Sequence, residues 1–450
     1  MIQRLCSYLF RDGLGPTLIR ALAGSAGIRI VGMGFGFLVG VQLARGLGAA
    51  GYGVYGLAMS LISLVTIPTE FGLPQLVTRE VSAAQVCHDV PLIHGVLKWA
   101  NRIVILLSLS MTAAGLIGWQ LFKEWFSDGV AIAVLAGLPL VPLVALGNLR
   151  GAALRGLQKI VMGQFPEVVL RPAVYSLLLL LASFFLSSGL SPITAMAVQA
   201  IAAAVAFLAA ALMLRRFLPS IDPVIAPVTH AKAWLRSAFP MALTEGMRIL
   251  HGNVSILLLG VLSTTVVVGV FRVAISMSLL IAMPATLLHV VCAPLFSRLH
   301  AARDHHRLQR MLSWVAVAMV SGVIVVTLPF VLMGSQLLAK VFGAEFGASN
   351  APLLILSAGA LVSSAFGAGA TLLNMTGHER RVTRAVGLSL LVLGLLSAPF
   401  IALWGAVGAA LVNSIALVLW SVLMWLDVRR LLGLDTSIGP LIKRGLHLRR

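Results

Sequence analysis

The chain has 450 residues, is 59% hydrophobic and only 10% charged, and carries a formal net charge of +19; its mean hydropathy is +1.02. Soluble domains run at about 25% charged, so the composition excludes a soluble globular protein and predicts an all-α polytopic membrane protein. The positive charge does not indicate a nucleic-acid partner. Its basic residues punctuate apolar runs instead of clustering on one face, the distribution that the positive-inside rule produces.

The first 16 residues include Arg4, Arg11 and Asp12, and the apolar run behind them is too long for the core of a cleavable signal. The first span is therefore expected to stay as an uncleaved anchor. Runs of about 20 apolar residues cross a bilayer. Twelve are predicted: 19–44, 52–70, 101–121, 129–149, 167–187, 191–213, 239–262, 269–295, 312–334, 351–373, 383–402 and 406–426. The first two flank the glycine turn Gly46-Leu47-Gly48-Ala49-Ala50-Gly51. The turns at 187–191 and 402–406 are tight, and Gly189, Pro192 and Gly405 support a break at each. The longer segments 214–236 and 296–311 are expected to form amphipathic helices on the cytosolic surface. Cys6, Cys87 and Cys292 suggest neither a disulfide framework nor a metal site.

Placing both termini in the cytosol gives a sharp charge test. The outer loops then hold only Arg45, Lys123 and Lys340, and five cations lie inside helices: Arg20, Arg29, Arg171, Arg248 and Arg272. The other 25 of the 33 Lys and Arg residues are cytosolic. One missed span would invert every later loop, so the asymmetry predicts twelve helices with both termini inside.

Gly53-Val54-Tyr55-Gly56-Leu57-Ala58-Met59-Ser60 matches Gly269-Val270-Phe271-Arg272-Val273-Ala274-Ile275-Ser276 in register, 216 residues apart. Each copy opens the second helix of a six-helix half. Six is even, so the halves share one orientation, and a parallel pseudo-twofold repeat along the membrane normal is expected, with the substrate site between the halves. The predicted organisation is a six-helix lobe over 1–214, a cytosolic linker over 215–236, a second lobe over 237–427 and a basic cytosolic tail over 428–450.

A central arginine costs about 2.5–3.5 kcal/mol on insertion scales unless it is relieved. Arg20 is close enough to its helix end to snorkel, and Arg272 lies near an outer end, where snorkelling and lining a cavity are both open. Arg171 can pair with Glu167 four residues earlier. Arg29 and Arg248 each lie about 15 Å from a helix end, too deep to snorkel easily. Glu245, Arg248, Gly252 and Ser255 share one face of the seventh span; Glu245 and Arg248 are either a structural pair or part of a site. On the second span Tyr52, Tyr55, Met59, Ser63, Thr66 and Glu70 fall on one stripe. Such a stripe has no use in lipid and predicts a hydrated interior. His251 and Asn253 add polarity to the seventh span, and His289 reads as structural. No catalytic constellation emerges, and the short outer loops, with Glu124, Asp128 and Glu345 as their acids, argue against a membrane glycosyltransferase.

The run Leu43-Ala44-Arg45-Gly46-Leu47-Gly48-Ala49-Ala50-Gly51-Tyr52-Gly53-Val54-Tyr55, with Glu70-Phe71-Gly72-Leu73 and Thr78-Arg79-Glu80, resembles the opening hairpin of bacterial polysaccharide-biosynthesis exporters. These are the Wzx-type flippases of the MOP superfamily. Phe239-Pro240, Pro294-Leu295-Phe296-Ser297-Arg298-Leu299 and Phe342-Gly343-Ala344-Glu345-Phe346 are similar to that family as well. The resemblance implies two six-helix lobes working by alternating access, with no catalysis, cofactor or metal. The implied cargo is an undecaprenyl-diphosphate-linked glycan passing from the inner to the outer leaflet of the bacterial cytoplasmic membrane. Membrane lipids and a polysaccharide polymerase or ligase are the implied partners. On this reading Arg29, Arg248 and Arg272 hold the diphosphate, while Tyr52, Tyr55, Ser63, Thr66 and Ser255 line the cavity. Glu70 or Glu245 would couple transport to an ion. The alternatives are a MATE-like cation or drug antiporter and a lipid II flippase; the latter commonly carries two further helices.

Overall fold

The computed structural model describes residues 15–122, 128–185, 189–220 and 228–439, with side chains from residue 24 onward. Arg4, Cys6, Arg11, Asp12, Lys123, Glu124 and the tail from 440, together with the side chains of Arg20 and Asp128, lie outside the described residues. All regular structure among the described residues is helical: α1 (Gly15–Glu70), α2 (Leu73–Val86), α3 (Val90–Phe122), α4 (Asp128–Gly137), α5 (Leu140–Gly156), α6 (Ile160–Phe165), α7 (Arg171–Phe185) and α8 (Pro192–Phe217) in the first half. Then follow α9 (Ala231–Leu262), α10 (Thr265–Ile281), α11 (Met283–Ala301), α12 (His305–Phe342), α13 (Asn350–Ala365), α14 (Gly369–Met375) and α15 (Glu379–Leu432). A π turn, Pro166–Leu170, joins α6 to α7, and a 3₁₀ turn, Ala344–Ser349, leads into α13.

Among the described residues nine helices are long and apolar enough to cross a membrane, ten if the bent pair α10 and α11 counts as one span. This is a multi-pass integral membrane protein. Two of these helices are far too long for one crossing: 56 residues of α1 would reach about 84 Å at 1.5 Å per residue. Each holds one residue that leaves the helical region, Gly48 (φ 65°, ψ 179°) in α1 and Gly405 (φ 54°, ψ −125°) in α15. Both lie inside the turns predicted from glycine content.

Other predicted runs are broken where the chain lacks a backbone donor or turns left-handed. The run 269–295 bends by 43° between α10 and α11, where Pro284 sits in the first turn of α11. The run 351–373 ends early, because Gly367 at φ 73° separates α13 from α14. No surface helix covers 296–311: α11 continues to Ala301, and α12 starts at His305, capped by the Asp304 carboxylate accepting from Arg307 N–H at 3.0 Å. The fold also contains a helix that hydropathy missed. α2 is short and starts behind Phe71 and Gly72, both with positive φ. A Cβ on Gly72 would collide with the α9 backbone at Ala238 and Ala242, so only glycine lets the chain turn there.

By packing, the chain divides into two compact units, residues 1–46 with 58–249, and residues 47–57 with 250–450. The core of the first is built from Leu73, Leu76, Val77 and Val81 of α2 against Ile93, Val96 and Ala100 of α3 and Ala145, Leu149 and Ala152 of α5. Trp234 and Ala238 of α9 close that core. In the second unit, Phe296 of α11 and Leu308 and Leu312 of α12 pack with Leu372 and Leu373 of α14 and Met424 and Val428 of α15.

Candidate functional site

The first unit contains several polar contacts between its helices. Glu70 ends α1, and its carboxylate accepts a 2.6 Å hydrogen bond from the Asn148 amide on α5. Glu245, Glu167 and Arg248 lie within electrostatic range of it. On α9, Arg248 grips Glu245 through both of its carboxylate oxygens, with Nε 3.1 Å from Oε2. The Gln75 amide reaches the same Oε2 at 3.5 Å. On the π turn and α7, Glu167 accepts from Arg171 at 3.0 Å, the i,i+4 pair expected from their spacing. The other oxygen of Glu167 is buried without a partner among the described residues, facing Gly147, where a Cβ would come within 2.6 Å.

The first arm of α1 packs against α6 and the π turn. Ser25 donates to the Gln164 side chain at 3.1 Å, and Gly32 lies so close to Val168 that a Cβ would strike its carbonyl oxygen. Arg29 sits one turn beyond Ser25 and just under one turn before Gly32, on the same side of the helix. It is exposed and makes no hydrogen bond or ion pair among the described residues. The hydroxyls of Ser63 and Thr66 on the second arm donate to their own i−4 carbonyls, Met59 and Ile62, each at 2.8 Å. Their lone pairs stay available; their protons do not.

The second unit contains a different cluster. Arg272 of α10 donates to the Gly56 carbonyl at 3.3 Å and lies over the rings of Tyr52 and Tyr55, 5.8 and 5.4 Å from their centroids. The two tyrosines stack on each other, are buried at 3% and 4% exposure, and Tyr52 also meets Phe346 edge-on. Ser255 is buried and accepts from the Asn413 amide at 2.6 Å. The stripe read from sequence is thus divided. Tyr52 and Tyr55 belong with Arg272, whereas Ser63, Thr66 and Glu70 belong to the other unit; Ser255, predicted on the seventh span, is tied up by the Asn413 amide.

Where α1 meets α10 inside the second unit, the two matching segments lie against each other. A Cβ on Gly53 would strike the Thr265 carbonyl, and a Cβ on Gly269 would strike the Ala49 carbonyl. Shifting Gly53 and Ala49 by the repeat length gives Gly269 and Thr265, so each contact is the mate of the other. Gly53 faces Gly269 and Gly56 faces Arg272, so the paired positions rise together and the two helices run parallel. Just ahead of the crossing, the second arm of α1 is capped by the Glu345 carboxylate, which accepts from Ala49 N–H at 2.7 Å.

Sequence reasoning missed Asn148 and Gln164. Both are lone amides inside apolar runs. No group of three His, Cys, Asp or Glu side chains among the described residues is placed to hold a metal ion.

Comparison with solved structures gives the fold. An inward-facing MATE family multidrug transporter of the MOP superfamily superimposes with a TM-score of 0.73 at 13% identity, over 90% of this chain and 97% of that one. The lipid II flippase MurJ in an inward closed state gives 0.68 at 14% identity, covering 91% and 87%. A MOP superfamily transporter from Pyrococcus furiosus gives 0.65 at 12% identity, covering 91% and 95%. At these identities the likeness is one of fold. The polysaccharide biosynthesis protein family matches residues 23–300, and the chain belongs to that family. It is a multi-pass membrane protein of that family with the fold shared by those transporters. Stage V sporulation protein B of Bacillus subtilis (strain 168) is 29% identical over 182 residues, 39% of this chain. That match spans about a third of the length of this curated relative, 34%.

Proposed function

We propose that this chain is a flippase for polyprenyl-diphosphate-linked oligosaccharide, moving it from the inner to the outer leaflet of the bacterial cytoplasmic membrane by alternating access. The observation that carries this reading is Arg29, a cation well inside the first span with no protein counter-charge among the described residues. An uncompensated guanidinium in a span is costly and well matched to phosphate, which it can grip through a planar fork. Arg248 and Arg272, the other cations assigned to the diphosphate, are engaged with Glu245 and with Gly56 and the tyrosines. They would reach the cargo by exchanging those partners. Ser63 and Thr66 keep acceptors for sugar hydroxyls. Glu70 and Glu245, each held by an amide, are the groups through which an ion would couple.

Twelve crossings follow from ten spans, if α1 and α15 each count as two across Gly48 and Gly405. The repeat then relates two six-helix halves, 1–214 and 237–427, with both termini cytosolic. These halves divide the chain by repeat, whereas the compact units divide it by packing, so 47–57 and 237–249 change sides. The polymerase or ligase that consumes the exported glycan is the expected partner. In a strain lacking the gene, the wild-type chain should restore surface polysaccharide, and Arg29→Ala at matched protein level should not. Full export by both Arg29→Ala and Arg248→Ala would remove the site. A drug-sensitivity phenotype without a polysaccharide defect would favour an antiporter.

A further inference from the structure

The break between α13 and α14 in the second unit frees two backbone acceptors. In a continuous helix the Ala365 carbonyl would accept from Gly369 N–H, and the Phe366 carbonyl from Ala370 N–H, four residues on. Instead α13 ends in 3₁₀ bonds, Phe366 N–H to the Ser363 carbonyl at 3.1 Å and Gly367 N–H to that of Ser364 at 3.0 Å. Both freed carbonyls are taken by a segment that follows α15. Ile438 N–H donates to the Ala365 carbonyl at 3.1 Å, and the Thr436 hydroxyl donates to the Phe366 carbonyl at 2.7 Å. At the break itself Gly367 has φ 73°, and a Cβ there would strike the Thr436 carbonyl.

The segment 433–439 leaves α15 through Gly433 at φ 64°. Leu434 and Thr436 are buried, while Asp435 and Ser437 are half-buried. Leu434 enters the core formed by Leu308 and Leu312 of α12, Leu372 of α14 and Val428 of α15. The Gln309 side chain holds the Asp435 backbone at two points, its amide donating to the carbonyl at 2.6 Å and its oxygen accepting from N–H at 2.8 Å. The Asp435 carboxylate accepts from the Trp425 indole at 2.8 Å and from the Ser437 hydroxyl at 2.7 Å. The Gln309 and Trp425 grips use side chains on helices that stay intact when they let go.

The Ala365 and Phe366 carbonyls therefore have two possible sets of donors. One set lies on the docked segment, and the other lies four residues along the same span. We propose that these donors compete, making the span a two-state switch: broken at Gly367 with the segment 433–439 docked, and continuous from α13 through α14 with it released. Glycine at 367 serves both states, since it takes positive φ and helical angles alike. Joining would give one helix over residues 350–375, about 39 Å at 1.5 Å per residue. It would also re-seat Leu372 and Leu373, which now pack with Phe296 of α11 and Met424 of α15. A discrete change between two bonded arrangements is how a packed core moves. The switch does not depend on which cargo the chain carries.

The test is hydrogen–deuterium exchange of the full chain in nanodiscs, read by mass spectrometry at single-residue resolution. Thr436→Val removes the hydroxyl on Phe366, and Gln309→Leu removes the two-point grip on Asp435; together they should release the segment. Exchange at Ile438 should then rise, while Gly369 and Ala370 should slow by about tenfold, the scale of gaining a hydrogen bond. Gly367→Ala should give the same pattern, because a Cβ disfavours positive φ and collides with the docked segment. Thr436→Val alone should shift exchange in the same direction by less, and it serves if the double variant fails to fold. A fixed brace predicts the reverse, since its loss loosens everything that it held. Faster exchange at Gly369 and Ala370 in these variants overturns the switch, as does unchanged exchange there once Ile438 has lost protection. Ile438 as protected in all of them as in wild type also overturns it, because the segment would not then be held by these bonds.

Discussion

The crossing of α1 and α10 offers a test in which only a methyl group is added. A Cβ on Gly53 would lie 2.7 Å from the Thr265 carbonyl carbon and 3.1 Å from Gly269 N, closer still to the Thr265 oxygen. These are backbone atoms of a packed helix, so neither a rotamer change nor a flexible tip relieves the clash, and the helices must part. Overpacking of this kind costs about 1–3 kcal/mol. Against it stands the gain in helix propensity when alanine replaces glycine, about 1 kcal/mol at most. Gly53→Ala should therefore destabilise by roughly 0–2 kcal/mol. Gly269→Ala should do the same, because its contact with Ala49 is the mate of the first. Once one substitution has separated the helices, the second finds room, so the double variant should cost less than the sum. Gly34→Ala and Gly36→Ala on the first arm, where a Cβ meets nothing within 4 Å, should be neutral or stabilising by up to about 1 kcal/mol. Thermal unfolding of the four single variants and the double in one detergent, followed by tryptophan fluorescence, decides the matter. Gly53→Ala melting at or above Gly36→Ala, or strict additivity of the double, would refute a close and symmetric crossing.

Two further outcomes follow from polar contacts. Glu345→Leu removes the carboxylate that caps the second arm at Ala49 N–H and should cost about 0.5–2 kcal/mol in thermal unfolding, while Glu345→Gln, which keeps an acceptor, should cost less. Asp435 lies just past α15. Burial pushes its carboxyl up, but the Ser437 hydroxyl, the Trp425 indole, the Ser437 N–H and the Arg429 charge outweigh it, so its pKa lies below the ordinary value. A lowered folded pKa means stability that is complete above the unfolded carboxylate range and lost as pH falls through the folded value. Asp435→Asn should therefore melt with a flatter acid limb than wild type, and an unchanged slope between neutral pH and pH 3 would contradict the assignment.

Much of the fold was legible because membrane helices announce themselves twice, by apolar length and by the glycines and prolines that end them. Gly48 and Gly405 were readable as breaks because only a residue without a Cβ tolerates those angles. The bend before Pro284 and the stop at Gly367 were hidden inside apolar runs, where hydropathy stays high whether or not the helix continues. α2 was missed for the opposite reason: its exposed side is polar, while Leu73, Leu76, Val77 and Val81 are buried against neighbours distant in sequence. The cations were visible, but their partners were not, except where helical spacing supplied them, as for Glu167 with Arg171 and Glu245 with Arg248.

Arg272 shows how the repeat bears on the site. Around the crossing the two copies obey one rule: Gly53 and Gly269 are both glycine, and each lets a carbonyl of the other helix approach. One turn further the rule is broken, with Gly56 in one copy and Arg272 in the other. A Cβ on Gly56 would lie 2.7 Å from Arg272 Cδ, so the missing side chain of one copy is the space that the arginine of the other fills. The guanidinium is then fixed by the Gly56 carbonyl and the two tyrosine faces. A symmetric pair of arginines at this crossing would place two cations against each other with no anion between them. A symmetric pair of glycines would leave the tyrosines without a cation. The asymmetry resolves both, and it ties the position of Arg272 to the closeness of the crossing. Parting the helices at Gly53 would loosen the arginine as well as the fold.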